Sequence, residues 1–84
     1  MSEPSVQVLL FAAVRDVVGA REREVPVDGA STAGSVLAAL CAMHPALAAH
    51  VPSLRVAVNG DYVALDAPVR AGDEVAIIPP VAGG

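Results

Sequence analysis

Apolar and polar positions along this chain follow two different periods, and the changes of period divide it into elements. Val6 to Phe11 is a compact apolar run, β-branched at its start, and predicts a buried strand. Ala13, Val14, Val17 and Val18 then fall three and four apart. Gly19 stops the pattern, which predicts a short helix over Ala12 to Val18. Arg21 to Val27 alternates charge with Val25 and Val27 before Asp28-Gly29, as a second strand closing in a turn would. The clearest helix follows, with Ala33, Val36, Leu37, Leu40, Cys41 and His44 along one face. Ser31 or Thr32 can cap it, although no Glu or Gln three places on completes a capping box. Pro45 breaks this helix, and Ala46 to His50 has room for one further turn. Arg55 to Val58 reads as a third strand, and Asn59-Gly60 is a two-residue hairpin signal returning into Tyr62-Val63-Ala64. Asp66-Ala67-Pro68 and Ala71-Gly72-Asp73 are turns, and Glu74 to Ile78 is a last strand.

One amphipathic helix against a mixed sheet is the economical way to bury both periodicities. The first and last strands are the most apolar, which predicts that they lie side by side in the middle of the sheet. The expected fold is α+β, a β-grasp or ubiquitin-like domain over residues 1–79, with 80–84 as an extended C-terminal tail.

Composition narrows the function. At 84 residues the chain makes one small domain, and 55% hydrophobic with 17% charged residues excludes a disordered one. A net charge of −4 and a pI near 4.8 leave no basic footprint for nucleic acid or an anionic membrane. Gly29 to Leu54 carries no Asp, Glu, Lys or Arg, long enough to span a bilayer. That window also holds His44, Pro45, His50, Pro52 and several hydroxyls, which hydrocarbon would leave unpaired. Met1-Ser2-Glu3-Pro4 lacks the positive region of a signal peptide, and a single cysteine, Cys41, forms no internal disulfide. A soluble, cytoplasmic protein is expected.

The chemistry-bearing residues are few. Cys41 lies on the apolar helix face, where burial raises a thiol's pKa and suppresses its reactivity. His44 and His50 have no acidic or thiol companion at metal spacing, so no metal site is expected. Asp73 and Glu74 are adjacent, point to opposite faces of a strand and form no general acid–base pair. There is no nucleotide loop, so no bound cofactor is expected either.

The C-terminus is more suggestive. Pro79-Pro80 favours a stiff, extended lead-in, and Gly83-Gly84 ends the chain without side chains. Fully extended, Pro80, Val81, Ala82, Gly83 and Gly84 reach roughly 16 Å and hold the Gly84 carboxylate clear of the domain. Such a tail suits a deep partner channel, but two terminal glycines alone read more readily as a frayed end. Strand parity adds a second observation. Gln7 and Glu74 mark the solvent side, so Leu9, Phe11 and Ile78 should point away from the helix. With the first and last strands parallel, Phe11 and Ile78 meet where the tail departs, and Tyr62 joins them from the fourth strand. An apolar patch there suggests docking, whereas Phe11 capping the core's end is the alternative.

Three stretches carry a family resemblance: Leu10-Phe11-Ala12-Ala13-Val14-Arg15-Asp16 with Gly19, then Val58-Asn59-Gly60, then Gly72 through Pro79-Pro80-Val81-Ala82-Gly83-Gly84. Over nearly its whole length the chain resembles the MoaD/ThiS group of ubiquitin-like proteins, in particular the sulfur-carrying small subunits of molybdopterin synthase. The resemblance implies that a ubiquitin-activating-like adenylyltransferase uses ATP to adenylate Gly84 and that a sulfur donor protein converts it to a thiocarboxylate. It implies a large catalytic subunit, probed by the tail in a heterotetramer, where sulfur passes to a cyclic pyranopterin monophosphate. It also implies that Phe11, Tyr62 and Ile78 form the surface offered to both partners, and that the chain is not an enzyme alone. Carriers for thiazole or cysteine synthesis share the Gly-Gly end, as do protein modifiers joined to lysines, so these remain the alternatives.

Overall fold

The computed structural model describes residues 3–79. Pro80 to Gly84, on which the tail reading falls, lie outside the described residues. Five strands form one mixed sheet: β1 (Ser5–Leu10), β2 (Glu22–Pro26), β3 (Arg55–Val58), β4 (Asp61–Val63) and β5 (Glu74–Ile78). Their order is β2-β1-β5-β3-β4, with β1 and β5 parallel and every other pairing antiparallel. The two most apolar strands are neighbours, as their composition predicts. Two α-helices, α1 (Ala12–Val18) and α2 (Ala33–Met43), and a 3-10 segment at Pro45–Ser53 complete the domain. This is the β-grasp arrangement.

The inner face of the sheet alternates as its sequence does. Val6, Val8 and Leu10 of β1, Val75 and Ile77 of β5, Val56 of β3 and Val25 of β2 are all buried. They pack with Val36, Leu37 and Leu40 of α2 and Val14 and Val18 of α1 in one core. Leu47, fully buried, anchors the 3-10 segment to that core. This segment is longer than the single turn expected over Ala46 to His50, because Pro52 is tolerated where each hydrogen bond spans only three residues. α1 ends at Gly19, whose φ of +81° is the left-handed cap a glycine adopts without strain.

Several boundaries move. Phe11 is not the end of β1 but the N-cap of α1, with its carbonyl accepting from the Val14 and Arg15 amides. The second strand is shorter than Arg21 to Val27, although Leu10 N–H donates to the Arg21 carbonyl and Val27 N–H to that of Pro4. The hairpin returns at Asp61 rather than Tyr62 and ends at Val63.

The start of α2 differs more instructively. Thr32 is the N-cap, and Ser35 completes a reciprocal box in place of Glu or Gln: Ser35 N–H donates to Thr32 Oγ1 at 3.1 Å and Thr32 N–H to Ser35 Oγ at 2.8 Å. The next two unpaired amides of the first turn find carbonyls on the segment before β5. Ala33 N–H donates to Ala67 at 2.9 Å and Gly34 N–H to Leu65 at 2.7 Å. A side chain at Gly34 would put its Cβ 3.0 Å from the Leu65 carbonyl oxygen, so the strap approaches this closely only because residue 34 is glycine.

Candidate functional site

The outer face of the sheet is built from the other parity. Cross-strand register aligns Leu9, Ala76, Ala57 and Tyr62 in one row across β1, β5, β3 and β4. One step nearer the end of the sheet, Ile78 stands opposite Arg55. Leu10 pairs with Ile77, so Phe11 and Ile78 leave their strands at the same end. Pro79, the last described residue, follows Ile78 at that end.

Exposure separates this face from the core. Phe11 is 46% exposed and Tyr62 65%, while Leu9, Ala76 and Ile78 are half-buried. Phe11 is therefore a surface residue, which removes the alternative that it caps the core. Ala57 is buried yet stands outside the core cluster, since its methyl is too short to rise above the row it sits in. Phe11 keeps the extended backbone of the strand, φ −124° and ψ 149°, so its ring falls on the outward side that parity gives it. The turn into α1 follows at Ala12, whose φ of +48° is uncommon for a residue with a Cβ.

Two shallow grooves flank the row. One, about 390 Å³, runs beside Phe11 between Leu9, Arg15, Arg21 and Glu22. The other, about 320 Å³, lies at the β4 edge beside Tyr62, between Val63 and Leu65 and, on the helix side, Leu37 and Val51. Arg15, Arg21 and Arg55 are all exposed, so three of the chain's five cations border the apolar end of the sheet. Parity alone finds Leu9 and Ile78. It does not find Arg55, whose place opposite Ile78 depends on the pairing of β3 with β5.

The remaining candidates are scattered. Cys41 is half-buried on α2 against the core, and burial pushes its thiol up from the usual value. His44 is the C-cap of α2 and His50 is exposed on the 3-10 segment. Among the described residues no group of three or more His, Cys, Asp or Glu side chains could hold a metal ion. No described helix is long and apolar enough to cross a membrane. Asp73 is occupied structurally: its carboxylate accepts from Arg70 N–H at 2.9 Å and from Asn59 Nδ2 at 3.1 Å, and these bonds hold its pKa below the usual range.

A mixed sheet grasping one long helix, apolar on its outer face beside the end of β5, defines a ubiquitin-like protein. The chain belongs to the ThiS family, whose sequence model matches residues 8–84. It is similar to small archaeal modifier protein 1 of Haloferax volcanii, 42% identical over 83 residues covering 89% of this chain and 95% of that one. The crystal structure of that protein superposes with a TM-score of 0.87, at 41% identity over 95% of this chain and 99% of that one. It is also similar to the molybdopterin synthase sulfur carrier subunit of Chlamydomonas reinhardtii, 42% identical over 82 residues covering 94% of this chain and 98% of that one. Ubiquitin from Caldiarchaeum subterraneum shares the fold, with a TM-score of 0.67 at 20% identity over 99% of this chain and all of that one.

Proposed function

We propose that this chain is the sulfur-carrier subunit of molybdopterin synthase. One observation carries the proposal: Phe11 is exposed at the end of the sheet from which β5 leads into residues 80–84, on the same face as Ile78 and Tyr62. A partner seated on that face lies over the root of the tail. The likeness to a sulfur carrier subunit over almost the full length of both chains supports the same reading.

A free carboxylate is a poor acyl donor, so Gly84 must first be activated. In the proposed cycle an adenylyltransferase partner joins the Gly84 carboxylate to the α-phosphate of ATP, and pyrophosphate leaves. The outer sulfur of a donor protein's persulfide then attacks the acyl carbon and AMP departs, leaving an acyl disulfide. A thiol attacks the donor's own sulfur, the two join as a disulfide, and the C-terminal thiocarboxylate leaves. Docking through Phe11, Tyr62 and Ile78 places Pro80 to Gly84 in the large subunit, where sulfur passes to the pyranopterin precursor. A dithiolene needs two sulfurs, so the carrier is used twice. ATP and precursor bind the partners, and this chain supplies the acyl group and the docking face.

The test is the intact mass of the protein after incubation with an activating enzyme, ATP and a sulfur source. The expected result is the gain from replacing one oxygen by sulfur, lost when Gly84 is deleted, followed by sulfur transfer once the large subunit and precursor are added. An unchanged mass with an activating enzyme proven on another carrier would sink the mechanism.

The relative named as a modifier supports a second reading, in which Gly84 is joined to amines of other proteins. All five basic residues here are arginines, so no lysine side chain of this chain is available to extend a conjugate. Conjugates would then carry single copies, and their appearance in place of the sulfur mass gain would favour this reading.

A further inference from the structure

Asn59 is the only asparagine in the chain, and the residue after it is glycine. We propose that Asn59 is a site of spontaneous covalent modification, conversion to aspartate or isoaspartate through a succinimide, and that the Asp73 clasp holds the reaction off while the domain is folded. The chemistry needs no enzyme. The Gly60 backbone nitrogen, on losing its proton, attacks the Asn59 side-chain carbonyl carbon. The bond from that carbon to the amide nitrogen breaks and ammonia leaves with the proton. Water then adds to either carbonyl of the five-membered imide, and opening of the ring leaves an aspartyl or an isoaspartyl residue. Oxidation states do not change.

Both requirements for attack are present. Glycine offers the least hindered backbone nitrogen, and nothing lies within 4 Å of where a Gly60 side chain would begin. Asn59 is exposed, so water reaches the imide. Yet the side-chain amide is tied at both ends across the hairpin. Its oxygen accepts from Glu74 N–H at 3.0 Å, and its nitrogen donates to Asp73 Oδ1 at 3.1 Å. Asp73 is itself held by Arg70 N–H at 2.9 Å, and the Asn59 backbone N–H is fixed on the Glu74 carbonyl at 2.8 Å. Swinging the carbonyl carbon onto the Gly60 nitrogen breaks both side-chain bonds, one of them to a charged group.

Modification would also undo what guards against it. The donor facing Asp73 becomes a second carboxylate, so two acceptors of like charge oppose each other. Isoaspartate adds a carbon to the backbone of a two-residue turn in which Asn59 and Gly60 both have positive φ, 51° and 89°. The Asn59 clasp joins that turn to the first residue of β5, so its loss loosens the strand that leads to residues 80–84. Refolding does not reverse the change.

The test uses the full chain, incubated at mildly alkaline pH either folded or in denaturant, beside Asp73→Ala and Gly60→Ala. Intact mass reads the exchange of NH2 for OH, and peptide mapping assigns it to residue 59 and separates the two products. The denatured wild type should react fastest, and denatured Gly60→Ala far more slowly. The folded wild type should react about tenfold slower than the denatured chain, or slower still, because a charged hydrogen bond must break first. Folded Asp73→Ala should lie between them. Equal rates for folded and denatured wild type would overturn the proposal without recourse to any variant. So would a folded Asp73→Ala as slow as wild type, or a denatured chain no faster than denatured Gly60→Ala.

Discussion

Ile77 and Ile78 are chemically identical neighbours on β5, and the sheet gives them opposite tasks. Ile77 is fully buried between the sheet and its helices, whereas Ile78 is half-buried on the outer face opposite Arg55. The same division runs across the sheet. The inner residues of β1, Val6, Val8 and Leu10, are all within the core, while outward Gln7 meets solvent and Leu9 joins the row with Ala76, Ala57 and Tyr62. One face holds the domain together. The other carries an apolar row outside the core, and it is the face that the proposed function assigns to partners.

The strongest challenge to this division is a pair of truncations in adjacent positions. Ile77→Ala should cost about 2–5 kcal/mol, because its methyl and ethyl groups leave a cavity in a close-packed core. In a domain this small that approaches the whole stability. Ile78→Ala, with less area to lose and solvent beside it, should cost much less. Urea unfolding of the two variants decides the matter, and equal losses would show that the outer row is structural.

The helix behind the inner face is tested next. Thr32→Ala removes the hydroxyl that accepts from Ser35 N–H and should cost about 1 kcal/mol, read from the shift in urea midpoint at unchanged slope. A smaller effect is expected from acid. The pKa of Asp73 is lowered in the folded state, so its contribution is present above the unfolded carboxylate value and disappears as pH falls through the folded one. Wild type should therefore lose stability on acidification, and Asp73→Ala should lose less over the same range. Parallel acid titrations of the two would reveal no difference if the Asn59 and Arg70 bonds to Asp73 do not form.

How far the sequence anticipates this molecule depends on the range of the interaction involved. The strands, the two helices and the outward side of Leu9 and Ile78 follow from periods of 2 and 3.6 residues, which are local and survive any tertiary context. The parallel pairing of β1 with β5 is also legible, because strands buried on a shared face read as the most apolar runs. The role of Ser35 is not legible from the Glu or Gln pattern of a capping box, because here a serine hydroxyl takes the place of the longer side chain. The strap of Leu65 and Ala67 over α2 left no pattern, since its carbonyls answer helix amides some thirty residues earlier. The same holds for Asn59 and Asp73, whose partnership spans 14 residues. The outward side of Phe11 follows from the same strand parity as Leu9, since its backbone stays extended up to the start of α1.

Phe11 is the position most relevant to function. Its ring is 46% exposed and lies beyond the β1 ladder, so Phe11→Ala should cost about 1 kcal/mol, well below a core truncation. The proposed role requires a different response from binding. An exposed aromatic ring that a partner covers, beside the groove lined by Arg15 and Arg21, is the kind of residue whose truncation weakens a complex by about 2 kcal/mol or more, some 30-fold in affinity. Calorimetric titration with an adenylyltransferase and with a large subunit of molybdopterin synthase measures this directly, on a variant shown to be folded by its cooperative urea transition. Loss of affinity for both partners with the fold intact would establish that the outer face is shared between activation and sulfur delivery. Unchanged affinity would move the docking surface away from Phe11, whereas a core-sized loss of stability with affinity unchanged would return its ring to the fold and erase the distinction between the two faces at this end of the sheet.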